Sequence, residues 1–221
     1  MDPFRLCVAL GPLGVYSLIL AIMHLSKRAW VVSGPRDMVA LGVALAGFMM
    51  VGPVELIMPA EPWATYRAWA WLVVLITYGV GTTLVALLGR PRITVYNITP
   101  AILRPVLAQV ASALDPQSRW AGNSLVMPQL DVELSIEAMS PMRCASLVAT
   151  HEEQEFHGWR RLETSLAAAL MKVECSRSPW GWLFLAVSAV LLGVVVFAIA
   201  WNPDAVNQGF LEMMRLDGND Q

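Results

Sequence analysis

Residues 180–201 read WGWLFLAVSAVLLGVVVFAIAW, an unbroken apolar run without one charged side chain. As a helix rising about 1.5 Å per residue, it covers the roughly 30 Å of a bilayer's hydrocarbon core. Working outward from it, three more runs of similar length occur at 4–25, 38–58 and 68–88. The whole chain agrees in composition: 57% of its 221 residues are hydrophobic and 14% charged, where soluble domains carry about 25% charged residues. The sequence therefore predicts a helical membrane protein with four transmembrane helices. Lys27 and Arg28 follow the first run instead of preceding it, so that run reads as a span and not as a cleavable leader.

Loops rich in Lys and Arg stay in the cytoplasm. Lys27, Arg28 and Arg36 separate the first two runs, and Arg90 and Arg92 follow the third. Both groups are expected to face inward, which places both termini and the tail 202–221 on the outer side. Tryptophan and tyrosine gather at headgroup level, and the clusters at Trp63–Tyr66–Trp69–Trp71 and at Trp30, Trp180 and Trp182 agree with that orientation. The expected location is a bacterial inner membrane, since the NIT at 97–99 is followed by Pro100 and falls on the inward side, unsuited to glycosylation.

The segment 90–179, between runs three and four, reads as an inserted cytoplasmic α+β domain. ITVYNI (93–98) is β-branched and aromatic, as strands prefer. Thr99 and Pro100 then form a paired helix start, an N-cap before a proline at the first helical position. Leu103, Leu107, Val110 and Leu114 recur at helical spacing. Three strands follow in SLVMP (124–128), DVELSIEAM (131–139) and RCASLVAT (143–150), the middle one alternating apolar and polar. A helix over 156–174 places Trp159, Leu162, Leu166, Leu170 and Val173 on one stripe. The expected order is β-α-β-β-β-α, a four-stranded, largely antiparallel sheet with both helices on its apolar face.

Nine basic and nine acidic residues balance in 90–179, so the domain lacks the electrostatic footprint of a nucleic-acid binder. Three cysteines, with no CxxC, no HExxH and no cysteine–histidine pair at ligand spacing, give no motif for a metal or cofactor.

Two sets of residues are candidates for function. Glu55, two residues after Pro53, lies about 5 Å inside the outer end of the second run. It fits an interfacial carboxylate paired with Arg5 or Arg67, and alternatively a proton or cation ligand of a small transporter or channel. Pro53 frees the carbonyl of Met49 and is expected to kink that helix. His24 is expected at headgroup level at the inner end of the first run. In the inserted domain, Arg119 with Trp120, and Trp159 with Arg160 and Arg161, join residue types that dominate binding hot spots. His151 and His157 would be the general bases if the domain were an enzyme, but no activated nucleophile or phosphate-binding loop accompanies them. The reading favoured by these features is a non-enzymatic membrane protein, structural or signal-coupling. Its expected partners are the lipid bilayer and other membrane subunits or further copies of itself.

Overall fold

The computed structural model describes residues 3–54, 60–139, 142–151 and 156–207, with backbone alone at 53–54, 60–71 and 138–139. Four long helices stand out: α1 (Pro3–Leu25), α2 (Gly34–Met49), α3 (Ala60–Leu88) and α6 (Trp180–Trp201). Among the described residues three are long and apolar enough to cross a membrane: Pro3–Leu25, Gly34–Gly52 and Trp180–Trp201. Four such spans were expected. The remaining stretch, 68–88, lies inside the 29-residue α3, whose described side chains form the shorter apolar segment Leu72–Leu88. Beyond Met49 the winding loosens to a π-helix over Met50–Val54. Pro53 lies within this stretch and has no N–H to donate, so it disturbs the regular i→i−4 ladder here.

The chain divides into two compact units, and the division falls inside all four long helices. Unit 1 comprises residues 1–19, 39–84 and 184–221. Its helices approach at small residues. A side chain on Gly47 would run into the Val8 carbonyl, one on Gly42 into Thr82, and one on Gly14 into Leu192. Tyr78 donates to the Gly42 carbonyl (2.7 Å) and Ser188 to that of Gly14 (3.0 Å). The small residues Gly79 and Gly193 have no such neighbour within 4 Å.

Unit 2 comprises residues 20–38 and 85–183. Its centre is an antiparallel sheet of six strands, where four were expected: β1 (Trp30–Ser33), β2 (Arg92–Tyr96), β3 (Arg119–Ala121), β4 (Ser124–Met127), β5 (Val132–Met139) and β6 (Cys144–Ala149). Their spatial order is β1-β2-β6-β5-β4-β3. β3 is a short hairpin arm that turns back through Gly122, whose φ of 64° suits a residue without Cβ. β1 comes from the link between α1 and α2, pairing Val31 with Val95 and Ser33 with Ile93.

Period-two alternation sends Ile93, Val95, Leu125, Met127, Leu134, Ile136, Ala145 and Leu147 to one face. There they meet α4 (Pro100–Leu114) through Leu103, Leu107 and Val110, and α5 (Phe156–Leu170) through Trp159, Leu162, Leu166 and Leu170. Both helices start where expected, and α5 ends at Leu170, short of the expected 174. Thr99 has the extended backbone of an N-cap and Pro100 follows it, but its side chain makes no capping bond. Its carbonyl instead accepts the N–H groups of Ile102 and Leu103.

Candidate functional site

On the opposite sheet face, at the β1-β2-β6 end, a buried polar junction forms where helix ends meet strands. α1 stops at Leu25, and the chain reverses through 26–29 into β1. The N–H of Ser178, just before α6, donates to the His24 carbonyl (3.0 Å), and that of Cys175 donates to Lys27 (2.8 Å). Orphan carbonyls at a helix C-terminus need such donors. Arg28 and Glu174 form an antiparallel bridge beside them.

His24 is only 2% exposed, buried where headgroup exposure was expected, because the sheet and the segment before α6 enclose it. Its ring meets that of Tyr96 edge-on, with centroids 6.0 Å apart. The Tyr96 hydroxyl donates to Asp37 Oδ1 (2.8 Å) in the first turn of α2. Asn97 reaches back with Nδ2 to the Ser26 carbonyl (2.6 Å), from a backbone at φ 59°. His24 Nε2 lies 4.0 Å from Cys144 Sγ. Arg36, exposed near the start of α2, meets Glu163 of α5 at 3.5 Å.

A thiol beside an imidazole invites a comparison with nucleophilic dyads, and the environment argues against one. Burial pushes the Cys144 thiol up to about 11, with the nearby Asp37 carboxylate adding to the rise and a backbone hydrogen bond from Asn97 opposing it. At pH 7 roughly one molecule in ten thousand carries the thiolate. Burial also raises the Cys175 thiol. The sign of the linkage follows: the folded state favours the thiol, so this stabilisation is complete below pH 9 and is lost as pH climbs through 9 to 11. Urea unfolding at pH 8 and at pH 10.5 is expected to show a larger stability drop in the wild type than in Cys144→Ala.

The remaining candidates are scattered. Glu55 lies outside the described residues, as does the side chain of Arg67, while Arg5 is exposed on α1. Trp159 is 5% exposed, inside the core, and Arg160 and Arg161 point away from it because successive helical positions turn by 100°. Trp120 packs on the core side of β3, its ring covered by Arg104 at 5.0 Å, while Arg119 is exposed on the other face. The tryptophans thus pack inward and the arginines outward, so the two pairs form no single surface. His151 is 69% exposed and sits 3.6 Å from Glu133. His157 is exposed, lining an open depression with Arg160, Arg161 and Thr164. Neither histidine has the enclosed setting of a general base. No group of three or more His, Cys, Asp or Glu converges among the described residues.

Fold and junction together define a class: a chain with apolar helices long enough to cross a membrane, carrying a six-stranded antiparallel sheet with two helices on one face. No protein family, curated protein or solved structure matches the chain.

Proposed function

We propose that this chain is a non-enzymatic integral membrane protein whose sheet domain is coupled to its spans, acting as a structural or signal-coupling subunit of a membrane assembly. In this reading 68–88 is a fourth span. The inserted domain 90–179 faces the cytoplasm, both termini lie on the outer side of a bacterial inner membrane, and partner subunits or further copies of the chain contact the spans. The observation that carries it is β1. The first inward link is an edge strand of the domain's own sheet, in register with β2 over four residues. The domain therefore includes the ends of α1, α2 and α6 in its own fold.

Such a construction suits transmission of a displacement and has no evident use in a merely anchored enzyme. The polar stretch of sheet left open by the junction, with Glu133, Glu137 and Arg119, is a surface for a cytoplasmic partner. Purification from native membranes in mild detergent after crosslinking is expected to recover a defined partner or a homo-oligomer. Isolation as a lone monomer would overturn the assembly reading. Protease treatment of sealed vesicles of known sidedness is expected to cut 90–179 only from the cytoplasmic face, and cutting from the other face would overturn the orientation.

A further inference from the structure

The junction gathers two kinds of energetic liability. The first is unmet hydrogen bonding. Thr94 Oγ1, Asn97 Oδ1, Arg143 Nε and Ser178 Oγ are buried without a hydrogen-bond partner among the described residues, as is Thr150 Oγ1 just past the far end of β6. Thr94, Asn97 and Ser178 are at most 6% exposed. The first four belong to this one region. Thr94 shares the face of β2 with Tyr96, Asn97 bonds the turn after α1, Ser178 caps His24, and Arg143 precedes Cys144 and accepts the Ile98 N–H (2.8 Å). Buried polar groups are normally satisfied, so a cluster of exceptions marks a place where the closed state is costly.

The second liability is backbone strain. Asn97 and Arg143 both sit at positive φ, 59° and 53°, without being glycine; Asp131, at 49° in the turn before β5, is the other such residue among those described. Such residues persist where the surrounding structure over-determines them, and they gather at switch regions. Holding the junction shut are Asn97 Nδ2 on Ser26, Tyr96 on Asp37, the backbone bonds to His24 and Lys27, and the packed His24 ring. Opening would return the four unmet atoms to water and release both strained residues. The core under the helices would be left intact.

We propose that this junction is a latch: a locally bistable element that opens while the rest of the sheet domain stays folded, freeing the foot of α1 and baring Cys144. The device stands independently of the assembly reading, since it is a property of this chain alone. Cys144 lies outside the main core cluster, so local opening reaches it while the core beneath α4 and α5 stays packed.

The test is N-ethylmaleimide labelling of the full-length protein in mild detergent at pH 8, with the modified cysteines resolved by mass spectrometry. The Cys144 rate is expected to stay nearly constant as urea is raised below the unfolding transition, because opening the junction exposes little surface. A rate that climbs with urea as steeply as global unfolding does would overturn the latch. Thr94→Val and Ser178→Ala each delete an unmet hydroxyl that gains water on opening, so each is expected to slow Cys144 by roughly five- to tenfold. Acceleration or no change of Cys144 in both variants would mean that those hydroxyls are satisfied in the closed state, and the latch would fail. The wild-type urea dependence needs no variant and decides the matter if either substitution impairs folding.

Discussion

Gly158→Ala is expected to destabilise the sheet domain by about 1–3 kcal/mol, the usual cost of overpacking a tight interior contact. Helix propensity alone predicts the opposite sign. Alanine in place of a helical glycine ordinarily gains roughly 0.5–1 kcal/mol. Packing decides, because a Cβ built on Gly158 collides with the carbonyl oxygen of Leu130 and comes within 2.8 Å of Val132 Cγ2. A backbone carbonyl cannot swing aside as a flexible side chain can. To accept the methyl group, α5 would have to lift off the sheet, disturbing the burial of Trp159 and Leu162, which follow the glycine. Thr164→Ala, on the exposed face of the same helix, is the control and should be neutral or slightly stabilising. Urea midpoints followed by tryptophan fluorescence distinguish the signs, and a gain in stability for Gly158→Ala would contradict the close approach.

What could be read from sequence was whatever is local and repeated. Residues 180–201 are apolar on every side, so no partner had to be known to recognise them. α4 was legible in full, from Pro100 at its start to DPQ at its end, because its apolar positions repeat on one face. β5 was legible through its alternation. β1 was not: four residues, WVVS, lie between a basic loop and a helix, too short for a period to register, and their strand identity comes only from the distant β2. His24 and Cys144 are 120 positions apart, and nothing local to either predicts the other. The fate of the Trp/Arg pairs turned on which side of an element each residue faced. Composition marks the pair, and packing decides whether it forms a surface.

Asp115→Ala is expected to cost the sheet domain about 2–6 kcal/mol, because it strands two backbone donors that the side chain now satisfies, each costing roughly 1–3 kcal/mol when left buried and unmet. Asp115 is fully buried at the C-terminus of α4, its own N–H held by the Ala111 carbonyl (2.8 Å). Its Oδ1 accepts the N–H of Gln117 (2.8 Å) and its Oδ2 that of Gln129 (2.9 Å). The side chain thereby ties the turn after α4 to the 3-10 turn Pro128–Leu130 between β4 and β5. Asp115→Asn keeps one acceptor but turns an NH2 toward a donor, so its loss should fall between wild type and alanine. The same 3-10 turn carries the Leu130 carbonyl against which Gly158 packs. Asp115 and Gly158 therefore act on one element from two sides, and their effects should not add. Once Asp115→Ala has loosened the turn, Leu130 can yield to a methyl group on α5. The double variant is then expected to lose less stability than the sum of the two single losses. Strict additivity in urea unfolding would show that the turn does not connect the two sites, and would leave α5 seated by its apolar stripe alone.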